Sequence, residues 1–141
     1  RTSWVFGAVG NNFVKTMLRL SENNSQISVI MDQLGSPTSA LELGRMMLYV
    51  VLNGEYGIYH ATCEGSTSWY EFAVEIFRQA GKEMTVKPVT TEEYTAMYPA
   101  QAKRPSYSIL ENEKLNQMGS YRMKNWQDAL TEYMVQAGFA K

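Results

Sequence analysis

The sequence is short of the side chains from which most catalytic centres are built. Its 141 residues include one cysteine, Cys63, and one histidine, His60. A lone thiol cannot close a disulfide within the chain, which points to a reducing compartment. One thiol and one imidazole cannot assemble a zinc site of the usual kind. Charge of either sign is not in excess: 13 basic and 14 acidic side chains nearly cancel. The balance gives no electrostatic reason to expect nucleic acid or an anionic membrane as partner. No run reaches the roughly 18 apolar residues that span a bilayer, and the first residues lack the order of a secretory signal. The expectation is a soluble, cytoplasmic protein.

Catalytic motifs are also missing. No glycine has another glycine two positions on, so the G-x-G-x-x-G dinucleotide turn is impossible. None of the 9 tyrosines is followed by a lysine four residues later. That spacing on a helix places an ammonium beside a phenol and lowers its pKa, so that it can protonate a reduced carbonyl. No Walker loop, H-E-x-x-H or G-x-S-x-G occurs. Glu92-Glu93 is a carboxylate pair, but at a helix start it answers the dipole rather than serving acid–base work.

What is present is a domain's worth of ordinary globular sequence, 45% apolar and 19% charged. Arg1 to Gly7 opens with strand-like composition (Trp4, Val5, Phe6) closed by glycine. A chain that starts inside a strand is expected to be a fragment lacking an N-terminal part. A loop over 7–12 follows, then a helix capped by Asn12 to about Leu20, and a strand over 27–31. Residues 32–38 read as an irregular loop because of Gly35 and Pro37. The spacing then predicts a helix from about Ser39 to Leu52, stopped by Asn53-Gly54, and a strand over 57–61. Ser68 to Glu71 is a capping box opening a helix to Gly81, and 85–89 is a strand. A second capping box, Thr90 to Glu93, starts a short helix near Met97. Residues 99–105 are loop, 107–110 extended and 112–118 a short helix. Asn125 caps a last helix to about Ala137. Strands alternating with helices give an α/β arrangement with parallel pairing.

Three loops suit a polar ligand. In the first, Trp4 and Phe13 can cover a sugar or base while Asn12 supplies a donor and an acceptor; a core tryptophan and a helix-capping asparagine explain the same residues. In the second, Gln33, Gly35, Ser36, Pro37 and Thr38 expose backbone amides to a pyrimidine edge or phosphate, or form a plain surface turn. In the third, Lys103-Arg104-Pro105 holds two cations suited to a diphosphate, or merely to solvent. His60, closing an apolar strand, reads as structural and Cys63 as inert. Met46, Met47, Trp69, Tyr70 and Phe72 read as packing residues, and Trp126 and Tyr133 as the contacts that dock the last helix.

Taken in order, several segments resemble the dTDP-4-dehydrorhamnose reductase family, within the extended short-chain dehydrogenase/reductases. They are Arg1 to Gly7, Gly10 to Met17, Asp32 to Thr38, Gly57 to His60, Ser68 to Ala73 and Ala102 to Pro105. The resemblance implies the C-terminal part of a Rossmann-like NAD(P)-binding fold: its last parallel strands plus a small substrate-binding α/β subdomain. A preceding half would carry the NADPH or NADH turn and the catalytic tyrosine and lysine, so the fragment itself would bind no cofactor and be inactive. Residues 1–141 would then form the substrate-binding portion, for a dTDP-sugar. By the resemblance, Trp4 lies near the hexose, Asn12 and Phe13 close the pocket, and 33–38 borders the nucleotide. Arg104, beside Lys103, faces the diphosphate.

Two departures stand out: Phe6 replaces a frequent tyrosine, and Pro99-Ala100-Gln101-Ala102 replaces a frequent Pro-Thr-Pro-Ala. Family members can dimerise around a divalent ion, but no acidic cluster here assigns such a site. Self-association is expected through an open edge at Thr2 to Phe6. The alternatives are a non-catalytic binding protein, like the regulatory subunit of methionine adenosyltransferase, or part of a sugar-nucleotide epimerase or dehydratase.

Overall fold

A computed structural model describes residues 1–100, 102–119 and 121–140; Gln101, within the expected 99–105 loop, lies outside the described residues. The strands are β1 (Val5–Phe6), β2 (Gln26–Ile30), β3 (Leu34–Gly35), β4 (Thr38–Ser39), β5 (Thr67–Ser68) and β6 (Thr85–Val89). The helices are α1 (Phe13–Leu20), α2 (Ala40–Asn53), α3 (Trp69–Gln79), α4 (Thr91–Met97), α5 (Glu113–Gln117) and α6 (Trp126–Gln136). β1 pairs with β4 and β2 with β6, both parallel, while β3 pairs antiparallel with β5.

Each helix start has a local cause. The Asn12 side chain accepts from the Lys15 amide at 3.1 Å and fixes the entry of α1. Ser68 and Glu71 form a reciprocal capping box on α3, and Thr90 and Glu93 another on α4. Glu92-Glu93 is therefore structural at Glu93. Asn125 caps α6 through the Gln127 amide at 3.0 Å. α3 buries Phe72, Ala73, Ile76 and Phe77, and packs against α1, α6 and the β2–β6 pair. α6 buries Trp126, Ala129, Leu130, Tyr133 and Met134, so Trp126 and Tyr133 do dock it. Removing a side chain such as Phe72, fully enclosed between these helices, would cost about 3–5 kcal/mol.

The sequence expectations fail in three places. Residues 57–61 form no strand; among the described residues their backbone bonds only to Arg1, through Arg1 N to Tyr59 O at 2.6 Å and Ala61 N to Arg1 O at 2.8 Å. One short contact does not make a ladder. The stretch 32–38 is not wholly irregular, because β3 and β4 each find a partner there. β4 lies along one edge of β1, and among the described residues no strand lies along the other. Met46 is buried as expected, but Met47 is exposed, being a full 100° further around α2. His60 Nδ1 lies 3.2 Å from the Glu111 carbonyl, in keeping with a structural role. Among the described residues no helix is long and apolar enough to cross a membrane.

Candidate functional site

Trp4 is the centre of the arrangement. Its backbone has φ +49°, the left-handed region that non-glycine residues rarely occupy, and here the surroundings over-determine it. The indole stacks on Trp69 with ring centroids 3.5 Å apart and planes at 10°. Its Nε1–H donates to Ser108 Oγ at 3.1 Å. Gly35 lies against the ring so closely that an added Cβ would overlap the indole. Phe13 joins from α1, its ring centroid 4.6 Å from that of Trp69.

Two of the candidate loops meet at this point. Leu34 N donates to Ser106 O at 2.8 Å and Ser108 N to Leu34 O at 2.9 Å. Ser108 Oγ also donates to Leu34 O at 3.1 Å. These bonds tie the extended run after Arg104 to β3 and, through the indole, to β1. Lys103 and Arg104 are exposed just upstream, and among the described residues neither makes an ion pair.

The other candidates are placed differently. Asn12 uses both ends of its amide internally: Oδ1 caps α1 and Nδ2 donates to Gly7 O at 2.8 Å. Gln33 is buried and donates to Thr91 Oγ1 at 3.1 Å. Thr91 in turn donates its amide and hydroxyl to Asp32, at 2.9 and 2.7 Å. Burial works to raise the Asp32 carboxyl, but the bonds from Thr91 outweigh it and hold the group below its ordinary pKa. Ser36, Pro37 and Thr38 are buried. Ser36 Oγ donates to Gly65 O at 2.7 Å, Thr38 Oγ1 to Ser36 O at 3.1 Å, and Thr38 N to Trp4 O at 3.1 Å. With Leu34 N also engaged, this loop offers fewer free amides than its composition suggests. Its main effect is to seat Gly35 beneath the indole.

Sequence reasoning gave Trp69 only a packing role and passed over Ser108. Trp69 at the start of a capped helix carried no sign of a partner 65 positions earlier, and the serine hydroxyl looked like any other in an extended run. A separate groove of about 360 Å³ runs along α3 and α6, lined by Tyr70, Glu71, Glu75 and Trp126 among others. Its carboxylates give it the wrong sign for a diphosphate.

The turn between β1 and α1 offers no cradle for a phosphate. It is filled from within: the Asn12 side chain caps the helix, and Lys15 Nζ donates to the carbonyls of Ala8 and Gly10. Carbonyls closed around an ammonium cannot cradle a phosphate.

Parallel strand pairs covered by helices, with an aromatic and basic loop cluster at one end, define part of an extended short-chain dehydrogenase/reductase fold. The chain belongs to the RmlD substrate binding domain family, whose model matches residues 1–138. It is 41% identical over 140 residues to the spore coat polysaccharide biosynthesis protein SpsK of Bacillus subtilis, covering 99% of this chain and 47% of that one. To the dTDP-4-dehydrorhamnose reductase of Aggregatibacter actinomycetemcomitans it is 42% identical over 138 residues, covering 92% and 47%. The dTDP-4-dehydrorhamnose reductase of Bacillus anthracis, solved in complex with NADP, superposes with a TM-score of 0.88 at 41% identity, covering 96% of this chain and 46% of that one. The UDP-glucose 4-epimerase of Thermus thermophilus, at 14% identity and a TM-score of 0.70, shares the fold alone. The chain spans about half the length of the curated relatives it matches.

Proposed function

We propose that this chain is the dTDP-sugar-binding half of an NAD(P)H-dependent reductase that converts dTDP-4-dehydro-L-rhamnose to dTDP-L-rhamnose. In this reading a separate half supplies the cofactor turn and the tyrosine–lysine pair, and acts in the cytoplasm, where a lone thiol such as Cys63 stays reduced. The relatives named above support the reaction class. The observation that carries the reading is the tie between Ser108, Leu34 and the Trp4 indole. Ser108 comes four positions after Arg104, a reach of at most about 14 Å even in fully extended chain. One sugar nucleotide can therefore touch both.

The roles follow from the chemistry of each group. Arg104 presents a planar fork of donors to the diphosphate, and each charge-assisted bond contributes about 1.5–3 kcal/mol. Lys103 adds a second positive charge. Trp4, one face covered by Trp69, presents its remaining surface to the hexose, with Phe13 alongside. Asn12, Gln33, Ser36, Pro37 and Thr38 act through position: they hold α1, β3 and β4 so that Gly35 and Trp4 meet. No hydride or proton step is assigned to this chain. Orientation of the sugar is its contribution, and that is worth most when the reacting carbon is held rigidly.

Calorimetric titration with dTDP tests this. Binding should be measurable to the 141-residue chain and weakened roughly 10-fold or more by Arg104→Ala, as loss of about 1.5 kcal/mol implies. Equal affinity in the two proteins would remove the diphosphate assignment.

A further inference from the structure

Three consecutive residues, Asp32, Gln33 and Leu34, carry bonds out of the turn that leads from β2 into β3, and two of them end on one side chain. Thr91 donates its amide to Asp32 Oδ1 and Oδ2, at 2.9 and 3.0 Å, and its hydroxyl to Oδ1 at 2.7 Å. An ionised carboxylate only accepts, so the hydroxyl proton is committed to Asp32. Thr91 Oγ1 is left to accept from Gln33 Nε2, at 3.1 Å. The direction of every bond in this relay is fixed, and with it the orientation of the Gln33 amide.

Helix α4 does not need the relay in order to form, because the capping box of Thr90 and Glu93 already supplies its start. Nor does packing account for it, since α4 buries none of its residues. The β2–β6 ladder ends at Ile30 and Val89, with the Met31 amide on Val89 O at 2.9 Å. Beyond that point, among the described residues, Thr91 is the one group to which residues 32 and 33 bond.

The consequence falls on the very next residue. Leu34 donates its amide to Ser106 O at 2.8 Å and accepts from the Ser108 amide at 2.9 Å. Ser106 comes two positions after Arg104, and Ser108 Oγ receives the Trp4 indole N–H. Two residues of extended chain reach about 7 Å, more than twice the length of a hydrogen bond. If Leu34 lets go of Ser106, Arg104 can drift well beyond bonding range of any fixed phosphate.

We propose that Asp32 and Thr91 are positioning residues for sugar-nucleotide binding: acting through Gln33 and Leu34, they set the ladder that aims Arg104 and holds the Trp4 indole. The inference rests on the reading of Arg104 and Trp4 as contacts of a dTDP-sugar. It adds two residues that act without touching the ligand.

Thr91→Val tests it, keeping the shape of the side chain but leaving the buried Gln33 amide without its acceptor. Two readouts are taken on the 141-residue chain. In hydrogen exchange followed by NMR, the Leu34 and Ser108 amides should exchange roughly 5-fold faster than in wild type, as local opening becomes easier. The Thr85 amide, bonded to Ser25 O at the far end of the β2–β6 ladder, should keep its rate. In calorimetric titration dTDP should bind about 5-fold more weakly, because a loosened segment must be ordered on binding. Thr91→Ser, which retains the hydroxyl, should recover both values. Asp32→Ala, at an exposed position, should move both in the same direction as Thr91→Val.

Unchanged exchange at Leu34 and Ser108 overturns the inference. So does faster exchange with unchanged dTDP affinity, which would make the relay structural only. Tighter binding in Asp32→Ala overturns it too, as the mark of a charge acting through space on the diphosphate. Arg104→Ala measures the diphosphate assignment separately. A loss there with none at Thr91 sinks this inference alone, whereas no loss at Arg104 removes the underlying reading and this one with it.

Discussion

Gly35→Ala is an unusually clean probe of how the Trp4 cluster is held. The glycine does not have a left-handed φ, so its backbone tolerates alanine. On chain entropy alone the substitution would stabilise the fold by about 0.4–1 kcal/mol. The structure predicts the opposite sign, because the new methyl would overlap the indole around Nε1, Cε2 and Cζ2. Overpacking of this kind costs about 1–3 kcal/mol. If the ring swings away instead, it loses the bond to Ser108, about 1 kcal/mol, and the stack on Trp69, about 0.5–1.5 kcal/mol. Either route gives a net loss of about 1–2 kcal/mol after the entropic gain. Urea unfolding of wild type, Gly35→Ala, Trp4→Ala and the double variant measures it. In the Trp4→Ala background the methyl has no ring to meet, so the second substitution should be neutral or stabilising. A Gly35→Ala cost that persists undiminished without the indole would refute the reasoning.

Three further outcomes follow from the same contacts. Burial pushes the Cys63 thiol up to about 11, so a disulfide-exchange reagent at pH 8 should leave the folded protein unlabelled and react at once on unfolding; prompt labelling of the native protein would contradict the packing around it. Arg45 and Lys124 hold the Glu132 carboxyl down at about 2, well below its ordinary 4.5. A depressed folded value means stability that is complete above about pH 4.5 and declines as pH falls toward 2, by about 1 kcal/mol or less for a surface network. Glu132→Gln should flatten that part of the acid titration, and an unchanged profile would show that the network contributes nothing. Ser68→Ala removes the oxygen that accepts from the Glu71 amide at 3.1 Å and should lower stability by about 1 kcal/mol in thermal unfolding.

Much of the fold was legible because its signals are local. Asn12, Ser68, Thr90 and Asn125 each start a helix where capping chemistry predicts, and β6 has the bounds its β-branched run suggests. What was not legible depends on partners distant in sequence. Residues 57–61 have strand composition, but among the described residues their backbone bonds only to Arg1, and composition cannot report whether a ladder partner is at hand. Ser36 and Thr38 look like exposed turn residues, yet Gly65 and Cys63, more than 20 positions on, take their polar groups into the interior. The site divides the same way. Trp4, Phe13 and Arg104 could be singled out by residue type, while the functions of Gly35 and Ser108 appear only once the indole is seen between them. A left-handed tryptophan has no sequence signature at all.

In the function proposed above, the Trp4 cluster and the Lys103-Arg104 segment together hold a nucleotide-linked sugar. Amide and indole chemical shifts of the labelled chain during titration with dTDP test it most directly. Saturable shifts should appear at the Trp4 Nε1–H, at residues 33–36 and across residues 102–108, with the exposed face of α2 silent. Saturable shifts confined to the groove of Glu71 and Glu75, or none at millimolar dTDP, a level at which even binding of about −4 kcal/mol is half saturated, would contradict it.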